Sequence, residues 1–403
     1  MPRRLPRTVK PPFFDAAALE TFVVGRGFKR EVAPRLWRVV LRALREGAAD
    51  DAEVWAKAAA YAVDGRQQLS KAAITLASQN TSLFGSRTET VSESSDGDTT
   101  KHLVVLADGK KIEAVAMRHN SRTTVCVSSQ IGCAMGCQFC ATGTMGLHGD
   151  LAASEILEQV ALLTRHECSQ GRPAPRNIVF MGMGEPLANY DAVSEAVEKL
   201  CDPFHFAFRR RGVTVSTVGV APSLKKLTRE HPDVRVALSL HAPTQTLRER
   251  IVPASKRWPL DELLEALDDH LSATEKRHKR SASGLMIEYV LLKGVNDRDE
   301  DADALAALLR GRNVMLNLIP YNPNVTAALH GFEAPEEATC RAFGKRVINR
   351  GLRVRLRQEF GQDVSAACGQ LALDIEDVAG AAPRRAGVVG ASRRAEARAA
   401  AAD

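Results

Sequence analysis

From about residue 121 to residue 350 the chain alternates short apolar runs with helical stretches, and this alternation restricts the fold more than any other feature. The apolar runs predict strands over 123–128, 177–181, 213–218, 234–240, 285–292 and 314–319. Between them Ile156, Leu157, Val160 and Leu163 share one helical face, as do Val193, Ala196, Val197 and Leu200. Further helices are expected near 260–273, 299–310 and 335–350. Such alternation builds a parallel sheet with helices outside it, as an open sheet or a barrel. Six units fall short of the eight of a complete barrel, so the expected fold is α/β, a partial (βα)6 TIM-like barrel.

The flanks read differently. Residues 1–13 form a basic extension, and 14–95 read as a small helical accessory domain. There Val32, Leu36, Val40 and Leu44 fall on one face, while Arg35, Arg38, Arg42 and Arg45 project as a solvated one. Ser, Thr, Asp and Gly crowd 86–101, as a linker would. Over 96–120 two apolar runs flank Asp108-Gly109, the pair that suits a hairpin turn. The barrel then occupies 121–372, and the Arg/Ala-rich tail, 373–403, is expected to be disordered.

Hydrophobic residues at 45% and charged residues at 26% fit a soluble globular chain. No apolar run approaches the roughly 20 residues of a membrane span. The first fourteen residues lack the apolar core of an export signal, so a cytoplasmic, monomeric protein with no membrane partner is expected. An acid-free start (Arg3, Arg4, Arg7, Lys10) keeps organelle import as the alternative. The net charge of +7 allows a polyanionic partner. With aromatics at only 5%, an RNA would be held through its phosphates more than by stacking. Arg209, Arg210 and Arg211, before the third strand, are candidate phosphate contacts near the open face, or a solvated charge run.

Four of the eight cysteines fall between Cys126 and Cys140, which suggests metal or redox chemistry and not a disulfide framework. Cys133, Cys137 and Cys140 are spaced C-x3-C-x2-C, just beyond a predicted strand, where barrel enzymes place their chemistry. A structural zinc site prefers four ligands in C-x-x-C pairs, and no second pair exists. A 4Fe–4S cluster takes thiolates, normally four. Three leave one iron open to chelate the amino and carboxylate groups of S-adenosylmethionine (SAM) and to pass an electron into its sulfonium. Gly182-Met183-Gly184-Glu185-Pro186 follows the second strand, and its glycines allow close backbone approach to a small ligand. Ser216, Ser239, His241 and Asn322 lie at other strand ends, where a ligand site would form.

These blocks together resemble the RlmN/Cfr-type radical SAM adenine methyltransferases. The resemblance rests on Cys126-Val-Ser-Ser-Gln-Ile-Gly-Cys133, Cys137-Gln-Phe-Cys140-Ala-Thr-Gly and Phe180-Met-Gly-Met-Gly-Glu-Pro186. It runs on through Val215-Ser-Thr-Val-Gly219, Ser239-Leu-His-Ala-Pro243, Asn317-Leu-Ile-Pro-Tyr-Asn-Pro323 and Gly361-Gln-Asp-Val-Ser-Ala-Ala-Cys368-Gly-Gln-Leu371. It implies a radical SAM partial barrel behind a helical domain, and methylation of carbon 2 of an adenosine in large-subunit rRNA or also in a tRNA anticodon loop. Cys133, Cys137 and Cys140 would hold the cluster; Gly184, Glu185, Ser216, Ser239, Leu240, His241 and Asn322 would contact SAM. Cys368 would carry a methyl group from one SAM, and a radical made from a second would activate it for addition to the base. Cys126 would resolve the resulting protein–RNA adduct as a disulfide, and Glu113 would accept the ring proton. The cycle needs an electron donor for the cluster and a thiol reductant. Carbon-8 methylation, and an RNA-binding protein whose cluster is non-catalytic, are the competing readings.

Overall fold

A computed structural model describes residues 10–63, 69–277, 285–357, 361–367 and 369–372. Cys368, the tail over 373–403 and most of the basic extension lie outside the described residues. Four helices come first, Ala16–Gly25, Val32–Arg45, Asp51–Val63 and Lys71–Asn80. Asp15 and Ser70 cap the first and last by accepting from the Ala18 and Ala73 N–H groups at 2.8 and 3.2 Å. Leu36, Val40 and Leu44 are buried on one face, beside Trp37, whose ring meets Phe14 edge-on at 5.3 Å.

Strands follow in the order β1 (Arg87–Glu93), β2 (Thr99–Val105), β3 (Lys111–His119) and β4 (Arg122–Cys126). A short pair, β5 (Gln130–Cys133) and β6 (Gly146–Asp150), stands apart from the main sheet. The sheet resumes with β7 (Asn177–Phe180), β8 (Val213–Thr217), β9 (Arg235–Ser239), β10 (Leu285–Leu291), β11 (Met315–Pro320) and β12 (Arg353–Leu356). The main sheet has ten strands in the order β1-β2-β3-β4-β7-β8-β9-β10-β11-β12. Pairing is antiparallel from β1 to β4 and parallel from β4 to β12. The parallel half is the expected partial barrel, extended by β12. The ten-stranded sheet does not close: β1 and β12 are its edges.

Where composition predicts a linker over 86–101, the chain instead forms β1 and the start of β2. Thr88, Thr90 and Val91 are β-branched and suit a pleated strand, and polarity here marks an exposed edge. The 96–120 hairpin is therefore the middle of an antiparallel meander joined edge-on to the barrel. Among the described residues no helix is long and apolar enough to cross a membrane.

Glu158, on the helix Ala153–Ser169, ties the barrel to the helical domain. Its carboxylate accepts from the Gly85 and Ser86 N–H groups at 2.9 and 2.7 Å, just ahead of β1. Burial pushes this carboxyl up to about 7, against the pull of those two N–H groups. The folded value lies above the unfolded one, so the folded state binds the extra proton between pH ~4.5 and ~7. Stability from this group is complete below that window and lost as pH rises through it, on the order of 3 kcal/mol. Glu158→Gln is expected to flatten that decline in denaturant titrations at several pH values. It should also cost about 1–2 kcal/mol near pH 5, because one N–H loses its acceptor. A variant that keeps the wild-type pH dependence would show that Glu158 is not its source.

Candidate active site

The carboxyl ends of the parallel strands open on one pocket, with about 890 Å³ of empty space including its mouth. Cys133 lines it from the end of β5, Cys137 and Cys140 from the loop that follows, and Gly184 and Glu185 from the turn beyond β7. Ser216, Ser239, His241 and Asn322 come from the ends of β8, β9 and β11. Nine of the expected residues therefore share one wall.

The cysteine loop is tightly wound. The Cys140 N–H donates to the Cys137 carbonyl at 3.1 Å, and the Gln138 N–H reaches the Ile251 carbonyl at 2.9 Å. Gly143 packs directly on this coil: a Cβ there would lie 2.8 Å from the Cys137 oxygen. Met135, Phe139, Val290 and Ile319 surround the thiols with apolar surface. Burial pushes the Cys133 thiol up to about 12, and Cys137 moves in the same direction for the same reason. Ionised thiols here need a cationic partner, and cluster iron supplies one. Among the described residues no three His, Cys, Asp or Glu side chains close round a single ion. A 4Fe–4S cubane takes one thiolate on each iron it binds, and the pocket wall offers three.

Gly184 has φ +100°, and a Cβ there would stand 2.6 Å from Gln130 Cβ, so only glycine fits against the cysteine-loop stem. Gln130 in turn accepts the Glu185 N–H at 2.9 Å. The Glu185 carboxylate accepts from Leu187 and Val218 N–H at 3.0 and 2.9 Å. Burial nevertheless raises it to about 7, so a bound ammonium would stabilise its charged form.

His241 has φ +60°, a strained backbone for a residue with a Cβ. Its Nδ1 accepts the Val290 N–H at 3.1 Å, and its ring meets Phe139 edge-on at 4.6 Å. Burial, reinforced by Arg248, pushes it down to about 3, so it is neutral. Sequence reasoning missed Arg248, which is fully buried and donates to the Leu240 and Val218 carbonyls, fixing the ends of β8 and β9. It also missed Glu288, a buried carboxylate in the pocket wall held by Asn317 Nδ2 at 3.0 Å. One Glu288 oxygen and Arg248 Nη1 are buried without hydrogen-bond partners among the described residues. The unsatisfied Glu288 acceptor, in the pocket wall, fits a polar ligand such as SAM, which carries hydroxyl and ammonium donors.

Three expected residues stand away from this wall. Leu240 points into the core; its N–H donates to the Glu288 carbonyl at 3.1 Å and its own carbonyl is held by Arg248. Cys126 ends β4, opposite Val115 on β3 and Val179 on β7. Glu113, on β3, is buried in an ion pair with Lys101 at 2.8 Å. Burial raises its carboxyl, opposed by Lys101 and by the Ala372 N–H.

That last contact places Glu113 beside the segment that bears position 368. Residues 361–367 lie on the meander: Ser95 N–H donates to Asp363 at 2.8 Å, and Gly361 packs on Thr99. Residues 369–371 lie on the cysteine loop. Ala141 N–H donates to the Gly369 carbonyl at 2.8 Å, and Thr142 Oγ1 to the Leu371 carbonyl at 2.5 Å. Asn324 Nδ2 bridges the Phe139 and Gly369 carbonyls, both at 3.1 Å. Gly369 also lines the pocket.

Residues 127–306 match the Radical SAM superfamily, whose members use a 4Fe–4S cluster and SAM. A radical SAM methyltransferase from Sphaerobacter thermophilus is similar in structure, with TM-score 0.77 and 37% identity over 90% of this chain and 99% of that one. A "Dual-specificity RNA methyltransferase RlmN" from Geotalea uraniireducens is 38% identical over 358 residues, 89% of this chain and 95% of that protein. A "Probable dual-specificity RNA methyltransferase RlmN" from Frankia alni is 45% identical over 285 residues, spanning 69% of this chain and 66% of that protein. Likeness of that extent, over a barrel whose strand ends gather three thiols with the expected polar side chains, makes the chain a member of the RlmN family of radical SAM methyltransferases.

Proposed function

We propose that this protein methylates carbon 2 of an adenosine in RNA, in large-subunit rRNA and in tRNA, by way of a methyl group carried on Cys368. One observation carries the reading. The segment around position 368 is held on one side by the meander that contains Glu113, and on the other by the cysteine loop. A thiol carried between these two anchored stretches would have a radical source on one side and a proton acceptor on the other.

Carbon 2 of adenine is electron-poor, so simple displacement from SAM cannot methylate it. When bound, the cluster and SAM supply a deoxyadenosyl radical. The protein's residues do the rest. Cys133, Cys137 and Cys140 anchor the cluster; Glu185, Ser216, Ser239 and Asn322 fix the SAM polar groups. Cys368 is the nucleophile that first accepts the methyl, since a thiolate displaces it readily. Glu113 takes the ring proton, Lys101 holding its charge. Cys126 then attacks the Cys368 sulfur and frees the product, leaving a disulfide for a cellular thiol reductant.

The test is nucleoside analysis of RNA treated with enzyme, SAM and a one-electron reductant, by isomer-resolved mass spectrometry. 2-Methyladenosine is expected. 8-Methyladenosine would reassign the ring position, and no methylated adenosine would sink the proposal.

A further inference from the structure

A second large concavity lies at the other end of the barrel strands. Sequence order suggests that Arg209, Arg210 and Arg211 stand near the open face. The structure puts them at the opposite end, because they precede β8 while the active-site pocket follows it. Arg122 opens β4, Arg176 precedes β7, and Arg235 opens β9. Together with Arg45, Arg209 and Arg211 they line one cleft that contains no carboxylate. Its empty space is about 1890 Å³, mouth included, against 890 Å³ for the active-site pocket.

The floor is rigid. Phe206 and Phe208 are buried beneath it with rings stacked at 6.3 Å. Arg45, the last residue of the helix Val32–Arg45, donates to the Phe206 carbonyl at 2.6 Å, so the helical domain forms one bank. Arg122, Arg176, Arg209 and Arg235 are exposed.

The charge on this cleft is uncompensated. Arginines elsewhere meet carboxylates, as Arg277 meets Asp233 and Arg346 meets Asp299 and Asp303. Among the described residues, no carboxylate lies within ion-pair distance of Arg122, Arg176, Arg209, Arg211 or Arg235. Burial, and then Arg211, lower the Arg235 pKa, the mark of two cations crowded without an anion between them. A merely solvated face would not need concavity, nor guanidinium forks, which grip phosphate bidentately where lysine offers a point charge. No aromatic ring is exposed in the lining, so base stacking has no platform here. What remains is recognition of phosphates.

We infer that this cleft binds the phosphate backbone of the RNA substrate at a point distant from the methylated base. The inference rests on the reading of RNA as the substrate. The parallel strands between cleft and pocket are four to seven residues long, roughly 13–23 Å. Phosphates recur about every 3.4 Å along one strand of a duplex, so a folded RNA has charge to offer at both ends. The two sites would divide the work, one choosing the base and the other holding the body of the molecule.

The test compares the full-length enzyme with the triple variant Arg209→Ala, Arg211→Ala, Arg235→Ala. Binding is read by fluorescence anisotropy with a whole tRNA transcript and with a stem-loop too short to leave the pocket mouth. The triple variant is expected to bind the transcript about 100-fold less tightly near 0.1 M salt, on the order of fivefold per lost contact. The slope of log affinity against log salt should become shallower by about 2–3. Affinity for the stem-loop should change little. Lysine at the same three positions should restore most of the slope, which a folding defect would not allow.

Unchanged transcript affinity and slope in the alanine variant would overturn the inference while leaving RNA as substrate. An equal loss on the stem-loop would overturn it too, since the arginines would then act at the mouth. Competition by polyglutamate as effective as by RNA would show a site for any polyanion and overturn it likewise. Failure of the wild-type enzyme to bind either RNA would remove the reading on which it rests.

Discussion

Cys137→Ala is expected to abolish reductive cleavage of SAM, lowering deoxyadenosine formation by at least about 10³-fold, or roughly 4 kcal/mol in the barrier. Cys137 is one of three thiols that line the pocket, and it is buried together with Cys133. Burial keeps Cys133 and Cys137 neutral unless iron compensates their ionisation, and two thiolates should not retain a cubane that three secure. Iron per chain and the visible absorbance of the cluster should fall together. Cys201→Ala is the control, because that half-buried cysteine lies outside the pocket. A Cys137→Ala protein with full iron content and undiminished deoxyadenosine would remove these thiols from the cluster.

Cys126→Ala should leave SAM cleavage intact yet halt the cycle after one turnover. The adduct between Cys368 and RNA would form and then persist, for want of the thiol that releases it. A denaturing gel should show protein migrating with labelled RNA, and free methylated RNA should stay below one equivalent. Cys126 is buried at the end of β4 and stands on the strand next to Glu113's. Multiple turnovers by the variant would mean that another thiol resolves the adduct, or that none is needed.

Much of this was legible from residue order because strand ends are legible. A parallel barrel presents the residues that follow each strand to a common space. Locating β7, β8, β9 and β11 to within a residue or two was therefore enough to gather Glu185, Ser216, Ser239, His241 and Asn322. Leu240 shows the limit: alternation turns every second side chain away from the pocket, and this one went to the core. Arg248 left no sequence signal, since the helix Gln245–Ile251 carries enough charge to look solvated, and only packing buries it. Glu288 did leave one, an acid in the middle of the apolar run Leu285-Met-Ile-Glu-Tyr-Val-Leu291, but the run was legible only as a strand. β1 was hidden by its polarity, which an edge strand shares with a linker. The basal arginines were visible as residues; their gathering was not, because it depends on five separate segments meeting.

An unclosed barrel has a doorway as well as a rim. Here β1 and β12 are the jambs, and the chain's last described stretch ties the loop after β1 to the cysteine loop. Among the described residues the stretch is fastened through Asp363, Lys101, Asn324 and Thr142 and by the Ala141 N–H to the Gly369 carbonyl, and not by a strand ladder. Residues 361–367 are tied to the meander and 369–371 to the cysteine loop, so one short piece of backbone links the antiparallel strands to the pocket wall.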